Sequence, residues 1–195
     1  MAEASVRRRR ADAQRNREAI LRAAREAFAT DGIFAPIDAI AMAAGVGNAT
    51  LYRNFPTRDA LLTAVIEDTV REILTASEAY GRDLSSAAAL QEWLYQLTWG
   101  LRIWHDLPTC IASACEDSTS PVATVTARLI DRTAAFLDKL RRSGAPVAAV
   151  SADELFQLAT AVSWAVDRFG DDSQRARRRV ELATAGVFIG NRDPE

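Results

Sequence analysis

The sequence is poor in the residues that usually carry covalent or metal chemistry. It holds 2 cysteines and 1 histidine. Cys110 and Cys115 are too few for a disulfide framework, and five residues apart they stand about 140° around a helix, so they do not converge on a metal. Both are expected to be buried as small hydrophobes. His105, beside Asp106 and near Cys110, lacks the recognisable orienting group that a cysteine nucleophile needs. No catalytic residue is therefore assigned, no enzyme is expected, and neither a metal nor a cofactor is called for. No run of about 18 apolar residues is present, which excludes a membrane-spanning helix. The basic N-terminus has no apolar stretch behind it, as a secretory signal would. A soluble protein in the reducing cytoplasm is the expectation. Neither an alternating strand pattern nor an internal repeat is found.

What is present fits one large domain or two small ones. The chain has 195 residues, 49% hydrophobic and 26% charged, enough for a core that folds without staples. Its net charge of −2 hides an asymmetry. Residues 1–60 carry 10 basic side chains against 7 acidic, and the remainder carries 14 against 19. The first third is thus the candidate for an anionic partner. Of the 24 basic residues only Lys139 is a lysine. The densest basic stretch is Arg7, Arg8, Arg9 and Arg10, followed by Arg15 and Arg17. Residues 1–13 read as a basic arm, expected to be disordered, with Arg7–Arg10 as candidate DNA contacts in a minor groove.

Helical spacing runs through nearly the whole chain. Ile20, Ala24, Ala27 and Phe28 share one face, and Gly32 is placed to end that helix. Short helices are predicted from about Ile37 to Ala44 and from about Asn48 to Asn54, stopped by Gly45 and Pro56. A longer helix begins near Thr57. Leu90, Leu94, Leu97, Leu101 and Trp104 form another stripe. Pro121 opens a helix carrying Val122, Val125, Leu129, Phe136 and Leu140, closed by Lys139, Arg141, Arg142 and Gly144. Ser151 and Glu154 make a capping box ahead of Leu155, Leu158, Val162 and Val166. A last helix is predicted over Ser173–Ile189. The fold class is all-α, with about nine helices.

The informative segment lies between Ile37 and Leu61. Ile37, Ile40 and Ala41 give the first short helix an apolar face, and Leu51 and Phe55 give the second one. Ile20, Phe28, Val46, Leu61 and Leu62 can close a core around them. Two short helices joined by a glycine turn make a helix-turn-helix, whose second helix fits the major groove of DNA. Asn48, Ala49, Thr50 and Arg53 then point away from the core. Asn pairs with adenine, and Ala or Thr methyls meet the thymine methyl. Tyr52, Arg53 and Arg58 suit phosphate contacts, which set register rather than sequence. The amides near Thr57 and Arg58 can hold another phosphate. The blander readings are an N-cap role for Asn48, a half-buried core ring for Tyr52, and a plain exposed face for Thr50 and Arg53.

The run Gly45-Val46-Gly47-Asn48-Ala49-Thr50-Leu51-Tyr52-Arg53-Asn54-Phe55-Pro56-Thr57-Arg58-Asp59-Ala60-Leu61 resembles the signature of the TetR family of bacterial transcriptional regulators. Ile20-Leu21 through Ala24 and Phe28, Asp31-Gly32, and Ile40-Ala41 with Ala44-Gly45 resemble it too. The likeness is close over residues 14–65 and beyond them rests on an all-helical pattern. It departs at Gly47, Asn48, Ala49 and Asn54, where the family favours Ser, Lys, Gly and His. Pro36 replaces a Thr that usually opens the second helix and touches phosphate. The resemblance implies a three-helix helix-turn-helix head over 14–56 and a ligand-binding and dimerising body over 57–195. It implies a homodimer on a palindromic double-stranded operator, most often a repressor released by a small molecule.

The second half is less explicit. Trp93, Tyr95, Trp99, Trp104 and His105 gather on or beside one helix. They suggest a mostly apolar effector site, with Trp99, Ile103, Trp104, His105, Cys110 and Phe136 as candidate lining; the alternative is that the tryptophans fill the core. In the family the last two helices pair with their copies. That places Leu155, Ala159, Val162, Val166, Ala183, Gly186 and Val187 at a dimer interface, although an intramolecular core fits them equally. The Arg175–Arg179 run reads as a solvated face near Asp171, Asp172 and Glu181. A DNA-bound structural protein of the division-inhibitor type, or a transcriptional activator, are the alternative functions.

Overall fold

The computed structural model describes residues 2–102 and 121–188, and every element among them is a helix, eight in all. They are α1 (Ala2–Asp31), α2 (Ile37–Ala43), α3 (Asn48–Asn54), α4 (Arg58–Asp83), α5 (Ser86–Leu101), α6 (Pro121–Arg142), α7 (Ala152–Arg168) and α8 (Ser173–Thr184). The chain divides into two compact units, Met1–Glu67 and Asp68–Glu195, so the division falls inside α4. No helix among the described residues is long and apolar enough to cross a membrane.

In the first unit, α1 packs on α2 and α3, and α2 packs on α3. Ile20, Phe28, Ile40, Leu51, Phe55 and Leu61 are buried at the centre. Ile37 and Val46, expected in that core, are only half-buried. From Ala2 on, the stretch expected as an arm is the start of α1, a helix of 30 residues. The reason is local: no glycine or proline interrupts Ala2–Asp31, and Ala, Arg, Glu and Gln are strong helix formers.

The turn between α2 and α3 is a helix stop followed directly by a helix start. Gly45 takes a φ of +67°, which an L side chain rarely adopts. That lets the Val46 N–H donate to the Ala41 carbonyl (3.0 Å) and the Gly45 N–H to the Met42 carbonyl (3.0 Å). Together these form a Schellman motif that satisfies the end of α2. Two residues later the Gly47 carbonyl accepts from Thr50 and Leu51 N–H (2.8 and 3.1 Å), which starts α3.

In the second unit, α5 packs against α6, α7 and α8, and α7 packs against α6 and α8. Leu90, Trp93, Leu94 and Leu97 of α5 are fully buried. They meet Val125, Leu129, Phe136 and Leu140 of α6 and Leu155, Phe156 and Val166 of α7 in the core. Ser85 caps α5, and the Ser151–Glu154 capping box starts α7 with both reciprocal bonds present. The last helix ends at Thr184, short of the predicted Ile189. Arg175, Arg177, Arg178 and Arg179 all lie on α8, where acids meet three of them. Arg177 pairs with Glu92 (2.6 Å), Arg179 with Asp171 (2.6 Å) and Arg178 with Glu181 (3.6 Å).

Candidate nucleic-acid interface

The outward face of α3 follows from its inward one. Leu51 and Phe55, four apart, are buried, so the residues between them face away. Asn48, Ala49, Tyr52 and Arg53 are exposed, and Thr50 is half-buried. Tyr52 is 48% exposed, so about half of it meets solvent. The cap of α3 is Gly47, which brings no side chain to the task. Asn48 therefore sits inside the first turn, and its side chain is free of a capping role.

The polar atoms on this face are already organised. The Asn48 Nδ2 donates to Asp38 Oδ1 on α2 (2.7 Å). The Arg53 Nη2 donates to Thr50 Oγ1 (2.9 Å), and the Asn54 Nδ2 donates to the Thr50 carbonyl (2.8 Å). Behind α3, the Arg17 guanidinium lies over the Phe55 ring, 4.5 Å from its centroid, and ties α1 to the end of the reading helix. Neither Asp38 nor Arg17 stands out in the sequence as part of this constellation. They sit ten and thirty-eight positions from their partners, beyond the reach of helical spacing.

The Arg58 side chain, expected on a phosphate, makes bonds within its own unit. Arg58 points inward, and its Nη1 donates to the Ile33 and Ala35 carbonyls (2.9 and 2.8 Å). It braces the turn between α1 and α2, which leaves unpaired carbonyls that a guanidinium fits. The Thr57 hydroxyl accepts from the Ala60 N–H (3.0 Å), capping α4.

Of the candidate effector-site residues, Ile103, Trp104, His105 and Cys110 lie outside the described residues, as does Cys115. Trp99 and Phe136 are described, and they are not brought together. Phe136 is buried against Trp93, ring centroids 5.7 Å apart. Trp99 lies six residues along α5, about 120° around the helix. It stacks on Tyr95 (6.2 Å) and lies under the Arg102 guanidinium (3.2 Å), whose burial lowers its pKa. A groove of about 200 Å³ opens between α5 and α8, lined by Leu84, Ala88, Gln91, Glu92, Tyr95, Arg177, Val180 and Glu181. It contains none of the expected residues and is smaller than the ~300–1,000 Å³ of common small-molecule sites. Among the described residues no group of three or more His, Cys, Asp or Glu gathers to hold a metal.

The residues expected at a dimer face fall into two groups. Leu155, Ala159, Val162, Val166 and Val187 are buried within their own chain and have little surface left for a partner. Ala183 and Gly186 remain exposed. Larger apolar side chains of α7 and α8 are exposed as well. Trp164 is 51% exposed and Leu182 62%, with Ala161 exposed and Leu158 and Ala165 half-buried.

Two family models match this geometry in sequence. One, described as bacterial regulatory proteins, tetR family, matches residues 20–65. The other, described as transcriptional regulator SbtR-like, C-terminal domain, matches residues 85–188, more than half of the chain. The chain belongs to the TetR family. Solved structures of TetR regulators agree in fold. One from Streptomyces coelicolor is 25% identical, covers 88% of this chain and 98% of its own, and superposes with a TM-score of 0.64. One from Mycobacterium vanbaalenii is 29% identical over 82% of this chain and 97% of its own, with a TM-score of 0.58. One from a Rhodococcus species is 22% identical over 90% and 99%, with a TM-score of 0.70. No curated protein matches the chain. TetR members are DNA-binding transcriptional regulators, and the α2–turn–α3 corner is the helix-turn-helix of this one.

Proposed function

We propose that the protein is a homodimeric repressor that binds a palindromic operator and lets go when a small, mostly apolar molecule occupies its second unit. The observation that carries this reading is the exposed polar face of α3 over a buried apolar one. Asn48, Ala49, Thr50 and Arg53 read bases, and Tyr52 places its hydroxyl on a phosphate. Two copies present α3 to successive major grooves about 34–36 Å apart. The copies meet through the exposed apolar surface around Trp164 and Leu182, which a monomer leaves in water. Arg7–Arg10, carried on the first turns of α1, add phosphate neutralisation. Effector binding needs a coupling of only about 1–3 kcal/mol to lower operator affinity 5–150-fold.

The test is fluorescence anisotropy on duplexes selected from a random library, over a range of salt. Binding is expected to weaken steeply as salt rises, because each neutralised phosphate releases counterions. Tyr52→Phe is expected to weaken selected and bulk DNA in the same proportion, since a phosphate contact carries no sequence information. A protein that binds no duplex better than bulk competitor overturns the reading.

A further inference from the structure

We propose that Asp38, on the helix before the reading helix, sets base preference by holding Asn48, and that together they read an exocyclic amino group in the major groove. The inference deepens the operator-binding reading and rests on it. Asn48 opens α3, and Asp38 lies in the first turn of α2. Both side chains are exposed, and the 2.7 Å bond between them spans the glycine turn. A carboxylate accepts and has no proton to give, so the Asn48 amide must turn its nitrogen toward Asp38. Its carbonyl oxygen then faces away from Asp38, still able to accept. The carboxylate keeps its second oxygen in the same condition.

This corner of the motif is therefore rich in acceptors. In the major groove their partners are the N4 amino group of cytosine and the N6 amino group of adenine. Guanine and thymine present O6 and O4 there, and an acceptor facing an acceptor is repelled. Adenine also offers N7 to the second N–H of Asn48. The other end of the face has the opposite character. Arg53 gives one N–H to Thr50 and keeps the rest of its fork for acceptors such as guanine O6 and N7 or a phosphate. The reading helix is thus polarised, accepting at Asn48 and donating at Arg53.

Asp38 carries a second consequence. A negative charge beside a polyanion weakens binding to every sequence, and here the same charge sharpens the choice among sequences. Asp38 is a positioning residue that lowers affinity and raises selectivity.

The experiment is selection from a random duplex library with the full chain, comparing wild type with Asp38→Ala, Asp38→Asn and Asn48→Ala. Binding to bulk DNA is measured in parallel, and helical content by circular dichroism. Wild type is expected to fix one base pair at one position of each half-site, and replacing the exocyclic amino group of that pair by hydrogen is expected to weaken binding as much as Asn48→Ala does. Asp38→Ala and Asn48→Ala are expected to flatten that position and spare the others. Asp38→Asn keeps an acceptor for the Asn48 amide and is expected to retain part of the preference. Affinity of Asp38→Ala for bulk DNA is expected to rise severalfold. The proposal is overturned if Asp38→Ala keeps the full preference, if removing the exocyclic amino group at the preferred pair leaves binding unchanged, or if every position flattens with helical content unchanged. If wild type enriches no sequence at all, the operator-binding reading itself falls, and the latch falls with it.

Discussion

Single side chains decide how firmly the second unit holds together. Trp93 is fully buried, and its indole Nε1 donates to Thr133 Oγ1 at 2.9 Å; that hydroxyl donates onward to the Leu129 carbonyl at 2.8 Å. Thr133→Val keeps the shape but leaves a sealed N–H without a partner. The expected loss is about 1–3 kcal/mol, read as a lower urea midpoint with an unchanged slope. The residue scale is also where sequence reading goes furthest astray. Arg58 sits where a phosphate ligand is expected, and it braces two carbonyls instead. A residue's type says what it can bond, whereas only the fold says what stands in front of it. Asp38 and Asn48 make the same point in reverse, since neither residue type by itself announces a latch.

At the scale of the element, punctuation is the most legible signal. The bounds of α3 and the capping box of α7 coincide with the sequence reading because glycine, proline and Ser-x-x-Glu act within a few residues. The start of α1 does not. Charge density suggests an unfolded arm there, and unbroken helix propensity prevails. Which side of α7 turns inward is illegible for another reason. Both its faces are apolar enough to be buried, and periodicity shows which residues share a face but not which face turns inward. Gly45 gives the cleanest test of an element. A Cβ built there meets nothing within 4 Å, so any penalty for Gly45→Ala is backbone alone. With φ at +67° the variant is expected to lose about 1–2 kcal/mol on thermal melting, while its selected operator sequence stays the same.

For the whole molecule, long-range ion pairs link acid sensitivity to the packing of helices distant in sequence. Arg177 on α8 grips Glu92 on α5 with two bonds (2.6 and 3.2 Å) and lies over the Tyr95 ring at 3.9 Å. The hydrogen bond from Arg177 holds the Glu92 carboxyl below its ordinary value of 4.5. A depressed carboxylate stabilises the fold above its unfolded pKa and stops doing so as pH falls through the folded one. Wild type is therefore expected to melt higher than Glu92→Gln near neutrality, with the gap closing below about pH 4.5. A gap that stays constant down to acid pH would assign the difference to packing. Two of the tryptophans differ in exposure. One indole is sealed in the core, and the one at position 164 stands half in water. Its emission therefore tests the proposed pairing through this surface: dilution should shift it to the red and open it to acrylamide quenching, and a Trp164→Phe protein should lose that concentration dependence.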